Sequence, residues 1–184
     1  MKDNSSMNPS TANSSRRHLI WGAGAAAAVA GVGVALWRFE PRDVAHAASH
    51  PFWAQQFETP SGEALAMAGF QGKPLLLNFW ATWCGPCKLE LNNIAELYPD
   101  WKKDYNVQLI AISIDDSRNT AKVKTYVGGR SWDYTILLDS NQDLKRALNF
   151  QAPPYTLLLD KNGTIVHSHT GYNEGEEYIL EEQI

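Results

Sequence analysis

The sequence predicts an α/β fold, a mixed central sheet covered by helices on both faces. Three observations predict it. From Phe52 onward, short apolar runs of strand length alternate with segments of helical periodicity. Two of those runs, Leu75-Leu76-Leu77-Asn78-Phe79 and Val107 to Ile114, are nearly continuous in apolar residues, the pattern of strands buried on both faces. The last two strand-like runs are joined by Lys161-Asn162-Gly163, a tight turn that makes them antiparallel, so the sheet is mixed rather than all parallel.

Taken in order, Phe57 to Lys73 carries turn signals at Pro60-Ser61-Gly62, Gly69 and Gly72 and predicts a short hairpin or edge strand. After the Leu75–Phe79 strand, Gly85 to Tyr105 predicts a helix. Cys87, Leu91, Ile94, Tyr98, Trp101 and Tyr105 fall at alternating steps that make one apolar face. Pro99 is expected to kink or split that helix. Asp115-Asp116 ends the Val107–Ile114 strand, and Thr120 to Val127 predicts a helix stopped by Gly128-Gly129. A strand at Ile136–Leu138, a helix at Asp143–Leu148, strands at Thr156–Leu159 and Thr164–Ser168, and an acidic helix at Glu174–Glu182 complete the pattern.

The chain has 184 residues, 44% hydrophobic and 20% charged, with two cysteines. That composition excludes an acidic disordered tail, a collagen-like repeat and a disulfide-dense miniprotein, and fits one domain with an extension at one end. The net charge of −4 divides into +2 over residues 1–51 and −6 over residues 52–184. An acidic domain without a basic cluster is a poor binder of phosphate backbones, so nucleic acid is not an expected partner.

The extension reads as an address. Residues 1–18 form a polar tail, and residues 19–37 contain no charge. As a helix that run is about 28 Å long at ~1.5 Å per residue, close to the ~30 Å core of a bilayer. Arg16 and Arg17 precede it, which by the positive-inside rule keeps the N-terminus cytoplasmic. Ser15-Arg16-Arg17-His18-Leu19-Ile20 also resembles a twin-arginine export signal. Ala45-His46-Ala47 has the form of a signal-peptidase site but lies well beyond the apolar run, past Arg38, Glu40, Arg42 and Asp43. The expectation is an uncleaved anchor, a tether over residues 38–51 and a domain over residues 52–184. Cleavage to a soluble form is the alternative.

The informative stretch is Phe79-Trp80-Ala81-Thr82-Trp83-Cys84-Gly85-Pro86-Cys87, which places two cysteines where a buried strand gives way to a helix. A thiolate at a helix N-terminus faces unpaired N–H groups and the positive end of the macrodipole, so the Cys84 thiol is expected below its free value of about 8.5. Cys87 lies one turn inside and should be shielded. This arrangement suits thiol–disulfide exchange, with Cys84 attacking and Cys87 resolving the mixed disulfide. Pro86 is tolerated in a first turn, where an N–H has no intrahelical partner. Other readings compete. A structural disulfide would close a loop of about four residues, worth roughly 2 kcal/mol. A zinc- or copper-binding module would need His167 and His169, which share one face of a strand, beside Cys84 and Cys87. A thiol peroxidase would need a peroxidatic cysteine alone in its own loop, which the motif lacks.

The run Asn78 to Cys87 resembles the active-site motif of thioredoxin-fold proteins, and more narrowly that of the membrane-anchored TlpA/ResA-like thiol–disulfide oxidoreductases. The resemblance extends from about Phe57 to Gly171. It implies a thioredoxin-like fold with an extra strand–helix insertion before a cis-proline loop. Pro154-Tyr155-Thr156-Leu157-Leu158-Leu159-Asp160 is similar to the family's Pro-Thr-Thr-Phe-Leu-Ile-Asp run, which makes Pro154 the cis-proline beside Cys84, positioned to pair with extended substrate backbone. The preceding residue, Pro153, has no N–H to offer; were Pro153 itself cis, Ala152 would supply that donor. Asn78 stands where thioredoxins carry a buried aspartate. Glu90, three residues after Cys87, matches a helix glutamate implicated in this family instead, and would take and return the Cys87 proton. The competing picture is a solvated Glu90 paired with Lys88 or Lys102. Trp83 is expected at the active-site rim with Gly85 and Pro86, and Trp80 in the core.

The Gly-Pro dipeptide between the cysteines implies a reducing potential nearer the ~−270 mV of thioredoxin than the ~−120 mV of strong oxidants. The expected protein is thus a protein-disulfide reductase of the inner membrane with its catalytic domain in the periplasm. It would need no cofactor beyond the Cys84–Cys87 disulfide and no metal. Its expected partners are disulfide-bearing clients, apocytochrome c among those the resemblance implies, and a membrane thiol–disulfide electron donor.

Overall fold

Leu75–Trp80 (β3) is buried at every position, as its unbroken apolar run requires, and the sheet extends outward from it in both directions. In this computed structural model the described residues are 51–184, so the predicted tail and span, and all but the last residue of the tether, lie outside them. Gln108–Ser113 (β4) pairs parallel with β3 on one side, and Tyr155–Leu159 (β6) pairs antiparallel on the other. Thr135–Leu138 (β5) adds parallel to β4, and Ile165–Thr170 (β7) antiparallel to β6. A hairpin of Gln56–Glu58 (β1) and Ala64–Ala66 (β2) joins the free edge of β5, giving seven strands in the order β2-β1-β5-β4-β3-β6-β7. The helices are Gly85–Asp104 (α1), Thr120–Gly128 (α2), Asp143–Leu148 (α3) and Glu176–Glu181 (α4). This is the expected thioredoxin-like α/β fold. Between β4 and β6 the chain adds β5 with α2 and α3, which accommodate the expected insertion.

Strand alternation divides the core. Leu75, Leu77 and Phe79 pack with Ile110, Ile112, Leu157 and Leu159 on one face. Leu76 joins Ile94, Tyr98 and Trp101 of α1, Leu109, Leu158 and Leu180 of α4 on the other. Each such side chain removed from water contributes about 1.5–3 kcal/mol.

Helix α1 buries Cys87, Glu90, Leu91, Ile94, Tyr98 and Trp101. The predicted face is therefore right as far as Trp101 and wrong at Tyr105. The helix ends at Asp104, and Tyr105 occupies the cap, where its N–H still bonds the Trp101 carbonyl but its side chain is 44% exposed, past the last turn that packs on the sheet. Nor does Pro99 split the helix, which runs through it unbroken. Apolar contacts on both sides of Pro99, from Ile94, Tyr98 and Trp101, outweigh one lost backbone hydrogen bond. The last helix starts two residues later than predicted, at Glu176, because Gly175 holds a left-handed conformation (φ +99) that α-helix cannot contain. None of the described helices is long and apolar enough to cross a membrane.

At the other end of β6 from the cysteines, a 3₁₀ turn at Pro51–Ala54 tucks Phe52 and Trp53 into the core. Gly163, in the β6–β7 turn, lies against the Trp53 ring with φ +83, and an added Cβ would stand 2.8 Å from Trp53 Cζ2. Gly163→Ala should therefore destabilise the domain by about 1–3 kcal/mol through strain and displacement of the indole. Urea unfolding followed by tryptophan fluorescence checks this.

Candidate active site

β3 delivers the chain to the end of the sheet, where Ala81–Trp83 turn it into α1. Cys84 is the N-cap of that helix, and its Sγ accepts a hydrogen bond from the Cys87 N–H at 3.2 Å. A disulfide joins Cys84 to Cys87, with Cα atoms 5.4 Å apart. In this oxidised state Cys87 is fully buried and Cys84 only 5% exposed. Pro86 sits in the first turn, as its missing N–H permits. Gly85 faces open space, since a Cβ there would meet nothing within 4 Å. Trp83 is 65% exposed beside the disulfide, while Trp80 is buried against Tyr126 and Trp132.

A clamp that sequence reasoning missed fixes this loop. Asp115, read only as a strand terminator, is buried and accepts hydrogen bonds from the Thr82 N–H at 2.8 Å, the Thr82 hydroxyl at 2.6 Å and the Ser113 hydroxyl at 2.7 Å. The Ile114 N–H also bonds the Trp80 carbonyl at 2.9 Å. The end of β4 thereby holds the residues that lead into Cys84. The signal in the sequence was an aspartate just past a strand parallel to β3, visible only once that pairing is known.

The peptide bond between Pro153 and Pro154 is cis, so Pro154 is the cis residue and the Ala152 alternative falls away. Tyr155 pairs with Phe79, and one more step along that register sets Pro154 opposite Trp80, at the active-site end of β3. The Pro154 carbonyl already accepts from the Gly171 N–H at 2.8 Å. Pro153 therefore offers an approaching backbone a carbonyl acceptor and no donor.

Glu90 is buried, 3% exposed, one helical turn beyond Cys87 and on the same side of α1. The Thr156 hydroxyl donates to Glu90 Oε1 at 3.1 Å, and Asn78 Nδ2 donates to Thr156 Oγ1 at 2.8 Å. Burial pushes the Glu90 carboxyl up to about 7; the Asn78 amide and Thr156 hydroxyl oppose the rise, and the charges of Glu176 and Glu177 add to it. The solvated alternative fails, because Lys102 pairs with Asp133 at 3.1 Å and Lys88 lies over the Tyr126 ring. Thr156 is the second residue that the sequence did not reveal, since its role depends on a cross-strand register.

His167 and His169 do share a face of β7, but they line a cavity with Glu90 and Thr156 rather than approaching the cysteines. Among the described residues no group of three His, Cys, Asp or Glu side chains is placed to hold a metal ion.

A C-G-P-C turn between a buried strand and a helix, with a cis-proline across from it at the head of an antiparallel strand, defines a thioredoxin-like redox protein. The chain belongs to the redoxin family, whose model matches residues 48–184. It is 32% identical over 110 residues to the thiol–disulfide oxidoreductase ResA of Geobacillus kaustophilus (strain HTA426), a match that spans 60% of this chain and 62% of that one. It is 30% identical over 123 residues to ResA of Bacillus thuringiensis subsp. konkukian, spanning 67% of this chain and 68% of that one. A thioredoxin-like protein from Porphyromonas gingivalis shares the fold with a TM-score of 0.61 and 42% identity, covering 71% of this chain and 86% of that one. The expected TlpA/ResA-like thiol–disulfide oxidoreductase class is thereby established.

Two outcomes follow from the buried carboxylates. Folded Glu90 binds its proton more tightly than the unfolded chain does, since its value rises from 4.5 to about 7. Its contribution to the stability of the oxidised protein is full below the lower value and is lost as pH rises through the higher one. That loss is about 3 kcal/mol. Denaturation at about pH 5 and about pH 8 should show it in the wild type, with the difference much reduced in Glu90→Gln. Asp115→Ala strands the Thr82 donors and should cost on the order of 2–3 kcal/mol by the same measurement.

Proposed function

We propose that the protein reduces disulfides of client proteins on the periplasmic side of the inner membrane, through a Cys84/Cys87 dithiol–disulfide cycle in which Glu90 holds the Cys87 proton. The observation that carries this is the Cys84–Cys87 disulfide at the head of α1 with a buried carboxyl one turn further on. In the reduced protein, the N-cap position and the helix dipole favour the Cys84 thiolate. That thiolate attacks a client disulfide and forms a mixed disulfide, and the departing client sulfur takes a proton from solvent. The Cys87 thiol passes its proton to the Glu90 carboxylate and, as thiolate, attacks Cys84 Sγ. The client's second sulfur leaves with the bonding electrons and is protonated in turn. Two electrons have moved to the client, and the protein is left as the Cys84–Cys87 disulfide.

The client backbone would run along Pro154, with the Pro153 carbonyl as its one acceptor and Trp83, Gly85 and Pro86 forming the surface around the sulfur. No cofactor beyond the disulfide enters this scheme. The thioredoxin dipeptide Gly85-Pro86 supports the reducing direction. The uncharged run at residues 19–37 with Arg16 and Arg17 before it supports the membrane anchor and the periplasmic placement. A reductant in an oxidising compartment must be recharged, so a membrane thiol–disulfide donor is required. Apocytochrome c is the client that the resemblance to ResA-like proteins favours, and the acidic domain disfavours nucleic acid.

Equilibration with glutathione and dithiothreitol, followed by tryptophan fluorescence, should give a reduction potential at or below about −230 mV; a value near −120 mV would make the protein an oxidant instead. Cys87→Ser should accumulate a mixed disulfide with a model client, and Cys84→Ser should form none; non-reducing electrophoresis distinguishes them.

A further inference from the structure

Beside Glu90, one turn of α1 beyond Cys87, a cavity of about 60 Å³ is lined by Glu90, Thr156 of β6, His169 of β7, and Glu176 and Glu177 at α4. That is room for a few water molecules. Glu90 is buried, lines this cavity, and its Oε2 has no hydrogen-bond partner. The strand register gives the cavity a floor. Asn78 pairs with Thr156, and Thr156 with His169, so three polar side chains form one row across the sheet. The neighbouring row on the same face is Leu76, Leu158 and His167. The polar row leads from beneath Glu90 to β7, the last strand of the sheet. There His169 Nε2 lies 3.1 Å from Glu176 Oε2, with the two side chains 40% and 26% exposed. Elsewhere along the lining, Asn93 donates to the Tyr172 hydroxyl at 2.7 Å, and that hydroxyl donates to Glu177 Oε2 at 2.5 Å.

We propose that this cavity is the route by which Glu90 exchanges its proton with bulk solvent, with His169, held at the mouth by Glu176, as the residue that passes the proton in and out. The inference rests on Glu90 as the holder of the Cys87 proton and adds where that proton goes. A client docked over Cys84 covers the front of the site, and Cys87 is fully buried, so the proton needs another way out. The step is a plain transfer. The Glu90 carboxyl gives its proton through enclosed water to the neutral His169 imidazole, the imidazolium releases it to solvent, and both groups end ready for the next cycle. Imidazole as a class changes charge near neutrality and has two nitrogens for such a relay. Tyr134, His167, Tyr172, Glu176 and Glu177 are the other titratable groups around Glu90. The two glutamates make a proton-free Glu90 more costly, and Glu176 also stabilises the imidazolium that carries the proton outward.

The test is an infrared pH jump on the oxidised full-length protein in detergent. The carbonyl stretch of protonated Glu90, identified by its absence in Glu90→Gln, is followed as the carboxyl loses its proton. In His169→Ala the decay should slow at least tenfold, and added imidazole should restore it. An unchanged decay in His169→Ala overturns the proposal, and so does a slowed decay that imidazole fails to restore, since that is structural damage. The reading of Glu90 in thiol chemistry is checked separately on the same samples. If Glu90→Gln resolves a mixed disulfide as fast as the wild type while the pH jump behaves as expected, the cavity conducts protons but the catalytic role fails.

Discussion

A carboxyl group kept out of water one helical turn from a buried disulfide sulfur is the constraint around which the rest of this structure is arranged. An isolated carboxylate in an apolar core is costly, and Glu90 meets that cost by sharing a hydrogen-bonded row and by binding its proton more tightly than usual. The row exists because Thr156 and Asn78 occupy paired positions on adjacent strands, where leucines fill the neighbouring places. Removing either would leave the carboxyl without its support, whereas replacing the whole set by apolar residues would give a tighter core but remove the group that the proposed cycle uses to hold the Cys87 proton.

The two sulfurs are chemically alike and differ by position. Cys84 caps α1, where backbone donors and the helix dipole favour an anion, and Cys87 lies one turn inside, closed off from solvent and next to an acid. The difference is maintained from below. Asp115 ties Thr82 to the end of β4, so the loop that carries Cys84 belongs to the sheet rather than to the mobile surface. On the client side the paired prolines impose their own restriction. Pro154 is committed to Gly171, and Pro153 presents an acceptor alone, so under the proposed function a client strand would form fewer backbone bonds here and rely more on the exposed Trp83.

Local patterns made the strands and helices legible in the sequence, because continuous apolar runs and a three-to-four-residue stripe are properties of neighbouring residues. The same reasoning placed Tyr105 on the buried stripe, one residue past the point where the helix stops. The cysteines could be read from their strand-to-helix setting, and Pro154 and Glu90 only from resemblance, since neither carries a local signal. Asp115 and Thr156 stayed hidden because their importance lies in register: each acts on a residue from another strand or loop. His167 and His169 were read correctly as sharing a face, but the partner of that face, Glu90 rather than the cysteines, depended on which strand β7 lies beside.

The most direct test of this account is the pH dependence of the rate at which Cys87 resolves a preformed mixed disulfide on Cys84, measured by stopped-flow fluorescence in the wild type and in Glu90→Gln. The account predicts a wild-type rate that falls as pH drops through about 7, where Glu90 gains its proton. It predicts a Glu90→Gln rate at least about 100-fold slower near neutrality, the lower end of what a positioned base contributes, without that inflection. Equal rates with the same pH profile in both proteins would contradict it and leave Glu90 a buried residue without a part in the chemistry.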